Sequence, residues 1–199
     1  MTKNKLAIFD FDGTISKIDS TKFFLKISFG KIHFFYGYYL RFIHLFILSK
    51  FGTYDFIKLK EKRISFFLKN ITLKKFDQLI HKFNAKFFNN YLKSDALKKL
   101  DWHKKNNHEI VILSASLNKL LSQWSSSNNY ILIANNLSFR NDILTGDFER
   151  PDCSYNEKLV RLNELIDLDN FDHIYGYGDT ESDISFLNVV DEPYFQYFK

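Results

Sequence analysis

Four short runs without a charged residue, Leu6–Phe9, Ile110–Leu113, Ile131–Ala134 and Ile174–Tyr177, constrain the fold more than anything else in the chain. A strand wetted on one face alternates apolar and polar residues, whereas an unbroken apolar run suits a strand covered on both faces of a parallel sheet. Helix-like stretches lie between the runs. From about Ser94 to Asn107, Ala96, Leu97, Leu100 and Lys104 fall at helical spacing and Asn106-Asn107 supply a stop. Further helical patterns cover about Leu117–Ser125 and Asn156–Ile166. Strands alternating with helices predict an α/β fold: a doubly wound, mostly parallel sheet built from βαβ crossovers. One hairpin interrupts the alternation, Leu137–Arg140 and Ile143–Asp147 joined by Asn141-Asp142.

Residues from about Ser16 to Tyr91 break the pattern. They are Phe- and Lys-rich and read as helical, with Gly30, Gly37 and Gly52 as candidate breaks. The expected organisation is therefore a core from residues 1–15 and 93–199, with a helical cap, 16–92, inserted after the first strand. At 199 residues, 45% hydrophobic and 18% aromatic, the chain can build such a core, and no repeat or Pro/Gly/Ser-rich linker divides it. Within the cap, Ile32–Ser49 is an aromatic and aliphatic run with Arg41 as its one unambiguous charge. A membrane span needs about 20 apolar residues and tolerates a central Arg poorly, which argues against a span. The favoured reading is a buried cap helix or helical pair; the alternative is an interfacial helix, a peripheral membrane contact through residues 32–49.

A net charge of +5 is compatible with an anionic substrate, an anionic membrane or nucleic acid. Lys, Asn, Ile and Phe are abundant throughout, however, and no nucleic-acid-binding signature accompanies the charge, so no nucleic-acid partner is expected. Cys153 is the only cysteine, which excludes a disulfide framework and a cysteine zinc cluster. His103, His108 and His173 lack zinc spacing and are assigned to packing or solvation. The opening MTKNKLAIFDFD has too short an apolar run for a signal peptide, so a cytoplasmic protein is expected, with any membrane contact peripheral to the inner face.

Chemistry concentrates where the runs end. The first leads into Asp10 and Asp12, two residues apart and so on one side of a strand, within IFDFDGT. Ser114 and Ser116 follow the second run, Lys158 opens the helix after the hairpin, and Asp179 and Asp183 follow the fourth run in GDTESD. Singly, each has an ordinary explanation: a turn aspartate, a helix N-cap serine, a solvated lysine. Together they matter more, because ligands of open parallel sheets bind beyond the carboxyl ends of the strands.

The ordered set DxDGT, strand-end Ser, helix Lys and GDxxxD resembles the haloacid dehalogenase superfamily over residues 5–15 and 93–198. WHKKNNHEIVILSAS, LTGDFERPDCSYNEKLVRL and YGYGDTESDISFLNVVDEPYFQYF are similar to its subfamily IB hydrolases, relatives of phosphoserine phosphatase. SAS and GDTESD depart from the Ser-Gly-Gly and GDGxND usual in phosphoserine phosphatases. The apolar cap is similar to the branch containing a bacterial phosphatidylglycerophosphate phosphatase.

The resemblance implies a Mg²⁺-dependent phosphomonoester hydrolase. Asp10 would be the nucleophile that becomes an aspartyl phosphate, and Asp12 the acid/base. The metal would be held by Asp10, the Asp12 backbone carbonyl and Asp179, with Asp183 and Gly178 in support. Ser114, the Ala115 backbone, Thr14 and Lys158 would hold the phosphate, Thr14 by orienting the nucleophile loop and Lys158 by offsetting the charge of the intermediate. The expected partner is a phosphorylated small molecule or a lipid phosphate. A phosphotransferase using the same aspartyl phosphate, or a non-catalytic phosphate- or lipid-binding module at the membrane surface, are the competing expectations.

Overall fold

The structure, a computed structural model, describes residues 5–199. Residues 1–4, part of the N-terminal stretch read above as unlike a signal peptide, lie outside the described residues. In chain order the elements are β1 (Lys5–Phe9), α1 (Ser20–Phe29), α2 (Lys31–Phe35), a π-helical turn (Tyr36–Leu40), α3 (Ile43–Lys50), α4 (Phe56–Leu68), α5 (Leu73–Phe87) and α6 (Ser94–Lys105). Then come β2 (Glu109–Leu117), α7 (Asn118–Ser127), β3 (Ile131–Asn135), β4 (Leu137–Arg140), β5 (Ile143–Phe148), α8 (Asn156–Leu165), β6 (His173–Gly178), α9 (Ile184–Leu187) and β7 (Glu192–Phe195).

The chain divides into two compact units. One comprises the segment ending at Ser20 with Lys86–Asn135 and Pro151–Lys199; the other comprises Thr21–Ala85 and Asn136–Arg150. The first holds the parallel sheet of the α/β fold, but its bounds differ from the 1–15 and 93–199 read off the sequence: Asn136–Arg150, expected in the core, falls in the second unit. The sheet runs β3-β2-β1-β6-β7, every pair parallel. Leu6, Ile8, Val111, Leu113, Ile133 and Ile174 join Leu162 and Phe186 in one buried cluster, which is why the central runs of those strands are apolar. From β1 the order runs to β2 on one side and to β6 on the other, so the carboxyl end of β1 sits at the topological switch point where such sheets form a crevice.

β2 is longer than its apolar run: Ser114, Ala115 and Ser116 continue the strand, and the pairing with β3 shifts register between Leu113 and Leu117. Such an irregularity frees side chains from the ladder beside a site. β7 carries Pro193 and is four residues long, tolerable because it lies at the sheet edge and pairs with β6 alone.

The second unit is helical apart from the β4–β5 hairpin, whose Asn141 and Asp142 both adopt positive φ (51° and 59°), as a two-residue hairpin turn requires. The hairpin joins the helices of this unit through Asn70 N donating to Leu144 O (2.9 Å) and Leu144 N to Ile71 O (2.8 Å). Phe24, Phe76 and Phe83 pack edge to face in its interior, consuming part of the Phe content of the 16–92 stretch. Gly30 and Gly52 do separate helices, whereas Gly37 lies inside the π-helical turn, where a Cβ would sit 2.2 Å from the Phe66 ring. The Ile32–Ser49 stretch is helical but not the buried helix favoured from its composition, since Ile32, Leu40, Ile43 and Ile47 are exposed.

Candidate active site

Every chemical group at the sheet end belongs to the α/β unit. Asp10 follows β1 directly, and its N–H donates to Tyr177 O on β6 at 2.8 Å. Since Phe9 stands opposite both Ile112 and Tyr177, Ser114 on β2 and Asp179 after β6 reach the same sheet end. Phe11, fully buried against Phe87, Phe88 and Trp124, anchors the chain between the two acids. Gly13 then turns with φ 88°; a Cβ there would lie 2.1 Å from Asp179 Oδ2, so only glycine lets the loop approach this carboxylate. Lys93 Nζ donates to the Gly13 carbonyl (2.5 Å) and to Phe198 O (3.1 Å), fastening the loop from outside.

Lys158 is the electrostatic centre. It is buried, and Nζ donates to Asp10 Oδ1 at 2.6 Å and to Asp183 Oδ1 at 2.5 Å. The turn before α8 delivers it. Tyr155 takes a positive φ of 50°, a conformation costing about 1–3 kcal/mol outside glycine, and its carbonyl accepts from Ser185 Oγ at 2.6 Å. Burial alone would lower the lysine's pKa, but the charges and hydrogen bonds of Asp10 and Asp183 outweigh it and hold the ammonium above its ordinary range.

One oxygen each from Asp10, Asp179 and Asp183 lies within 4.8 Å of the others. Asp183 is fixed by Asp179 N (3.0 Å), Thr180 N (2.9 Å) and Thr180 Oγ1 (3.0 Å), all donating to its Oδ2. Gly178 makes room for that arrangement, since a Cβ there would be 2.6 Å from Asp183 Cβ. Thr14 Oγ1 donates to Asp179 Oδ1 at 3.2 Å. Burial pushes Asp10 up to about 8, with Asp183 adding to the rise and Lys158 opposing it. Burial followed by the charge of Asp183 also raises Asp179. Ionised together, these carboxylates would carry more negative charge than one lysine balances, and hard oxygen donors at this spacing suit a divalent cation such as Mg²⁺.

Asp12 is set apart from that trio. Its carboxylate accepts from Ser20 N (2.9 Å), Ser20 Oγ (3.0 Å) and Ser16 Oγ (3.3 Å), and from Ser116 Oγ. Burial, then the charge of Asp19, lifts it to about 6 against those hydrogen bonds. The two acids of IFDFDGT thus face different surroundings, one beside Lys158 and one in a ring of hydroxyls. Ser114 is buried and its Oγ accepts from Ser116 N at 3.1 Å.

Some groups of the site were not singled out from the sequence. Ser20 belongs to the Asp12 ring but lies outside the DxDGT motif, eight residues past Asp12 at the start of α1. Asn135, at the end of β3, ties two loops together: its Nδ2 donates to Ala115 O (2.8 Å) and Asp152 Oδ2 (3.0 Å), and its Oδ1 accepts from Cys153 N (2.8 Å). The signal available was a strand-terminal Asn at the same sheet end as the motifs, which alone is indistinguishable from a turn residue.

Comparison with known proteins bears on the family and the fold. The chain is 28% identical to Protein CicA of Caulobacter vibrioides over 196 residues, 98% of this chain and 86% of that protein. Its fold is similar to a protein of unknown function from Bordetella pertussis Tohama I (TM-score 0.81, 20% identity, 96% of this chain and 89% of that one). It is also similar to a phosphoserine phosphatase solved as a phospho-aspartyl intermediate analogue (TM-score 0.66, 18% identity, 96% and 86% covered). A sequence model of one family matches residues 7–188, a span that takes in Asp10, Ser114, Lys158 and Asp179. With Asp10, Ser114, Lys158 and Asp179 brought to one end of a parallel sheet inside that match, the chain belongs to the haloacid dehalogenase-like hydrolase family.

Proposed function

We propose that the chain hydrolyses phosphomonoesters with the help of Mg²⁺, through a phosphoryl group carried briefly on Asp10. The observation that carries the reading is the contact of Lys158 Nζ with both Asp10 and Asp183, beside Asp179. Phosphoryl transfer needs an in-line nucleophile, positive charge around the equatorial oxygens and a proton for the leaving group. The sheet end offers all three.

Asp10 is the nucleophile, and its attack splits hydrolysis into formation and breakdown of an acyl phosphate. Lys158 holds Asp10 in place and counters the charge that accumulates on the phosphoryl group. Asp10, Asp179 and the Asp12 carbonyl are the groups that would hold Mg²⁺, with Asp183 close enough to take part. Once bound, the ion supplies the positive charge that lets a phosphate dianion approach these carboxylates. Asp12, kept in its serine ring and shifted towards neutrality, gives its proton to the leaving oxygen and takes one from the incoming water. Ser114 and the backbone around Ala115 receive the remaining phosphoryl oxygens, and Thr14 steadies the metal-binding Asp179. The substrate is a phosphomonoester, of a small metabolite or of a lipid.

A hydrolysis screen over soluble and lipid phosphomonoesters, with Mg²⁺ and with EDTA, tests the reading. Phosphate release that needs Mg²⁺ and disappears in Asp10→Asn is the expected result, and the preferred ester separates the two substrate sources. Release that persists in Asp10→Asn, or that EDTA leaves intact, would overturn it.

A further inference from the structure

We propose that the helical segment from Lys31 to Phe51 docks the protein onto the surface of an anionic lipid bilayer. Between Asp19 and Asp55 the sequence contains no acid, yet it carries Lys22, Lys26, Lys31, Arg41 and Lys50. The same stretch exposes apolar side chains that a water-soluble helical unit would bury. Ile32 is 88% exposed and Phe51 79%, with Phe35, Leu40, Ile43 and Ile47 each about half exposed. Helix α3, IHLFILSK, is apolar almost all round. A helix of that composition belongs in a core or in lipid, and here much of it faces outward.

The cations of the segment, Lys31, Arg41 and Lys50, are exposed as well. Among the described residues no carboxylate pairs with Lys31, Arg41 or Lys50. The Arg41 guanidinium lies 4.9 Å from the Phe66 ring centre and Lys50 Nζ 5.5 Å from that of Phe56, so each charged head sits against an aromatic ring rather than a carboxylate. Apolar side chains interleaved with unpaired cations match the boundary between acyl chains and anionic headgroups. A second copy of this chain fits worse, because a two-fold interface would set these cations against their own counterparts. Contact would lie in the plane of the membrane. Helix α3 is eight residues, about 12 Å, against roughly 30 Å of hydrocarbon, and no helix among the described residues is long and apolar enough to cross.

The inference is independent of the hydrolase reading, since it concerns attachment and not turnover. Co-sedimentation of Asp10→Asn protein with vesicles tests it, one set phosphatidylglycerol with phosphatidylcholine, the other phosphatidylcholine alone. The protein should partition onto the anionic vesicles at least ~10-fold better, and high salt should weaken that binding. Ile32→Glu with Phe51→Glu, both at exposed positions, should abolish it with an unchanged melting curve. Arg41→Gln with Lys50→Gln, which leaves the apolar face intact, should lower it on the order of tenfold. Equal binding to both vesicle types, no binding to either, or wild-type binding by both double variants would overturn the proposal. So would a wild-type dimer that Ile32→Glu/Phe51→Glu converts to monomers, which would assign the face to a second copy.

Discussion

Asp10 and Asp12 share a motif but not an environment. The spacing of IFDFDGT put both acids on one side of the chain and the resemblance divided their roles. The structure gives the two acids different neighbours: Lys158 on one, and Ser16, Ser20 and Ser116 around the other. Asp12→Asn should therefore keep the Lys158–Asp10 contact and lower kcat by about 10²–10⁴-fold, the usual range for a lost general acid/base. Steady-state kinetics on the substrate found by the screen checks this, and a smaller effect would point to Ser-bound Asp12 as a structural group. Asn135 is the residue that sequence reasoning passed over, because its value lies in joining Ala115 to Asp152 and Cys153, partners 17 to 20 positions away. In the proposed reaction it would be a positioning residue. Asn135→Leu removes three hydrogen bonds among buried groups and should cost about 1–3 kcal/mol in a denaturant titration. It should also lower kcat with KM nearly unchanged, whereas a purely structural role would leave kcat per folded molecule as it was.

At the scale of elements, the hydrophobic runs located β1, β2, β3 and β6, because a strand buried on both faces has no alternative composition. The Asn141-Asp142 turn was equally legible, since few residues tolerate two consecutive positive φ values. β7 was not: four residues containing Pro193 give no periodic signal, and only the open edge of β6 recruits them. The outward face of α2 and α3 was misread as buried because composition reports apolarity without saying what covers it. Two predictions belong here. Gly146 on β5 has φ 91°, and a Cβ would fall 2.5 Å from Ser65 Oγ on α4. Gly146→Val should thus loosen the hairpin from its helix, raising amide exchange at Leu144 and Asn70 while β1 and β6 stay protected. The second concerns His103 on α6, buried with Nδ1 2.8 Å from His108 Nδ1 and Nε2 3.1 Å from Tyr177 OH. Burial, reinforced by His108 and Lys99 and opposed by Glu192, pushes its pKa down to about 3. A histidine kept neutral in the fold contributes stability above its unfolded pKa near 6.5, and that contribution is lost as pH falls from there towards 3. Thermal melts of His103→Gln should accordingly lose less stability than wild type between pH 6.5 and 4; parallel curves would refute the assignment.

For the whole molecule, the sheet order β3-β2-β1-β6-β7 makes one site out of residues scattered from position 10 to position 183. The sequence supplied the members, and the sheet supplies their meeting place. Such a gathering of carboxylates opposes folding until a cation joins it. Mg²⁺ at about 100 times its Kd should add about 2.7 kcal/mol and raise Tm by roughly 5–10 °C, as thermal melts with Mg²⁺ and with EDTA would register. Asp179→Asn should melt no lower than wild type in EDTA and show little of the Mg²⁺ shift. The central claim is that a phosphoryl group rests on Asp10. Protein quenched in acid during turnover, reduced with borohydride and digested tests it by peptide mass spectrometry, because borohydride converts an acyl phosphate to homoserine. The account predicts homoserine at position 10, dependent on both substrate and Mg²⁺. Conversion at Asp12, or turnover with an unmodified Asp10, would contradict it.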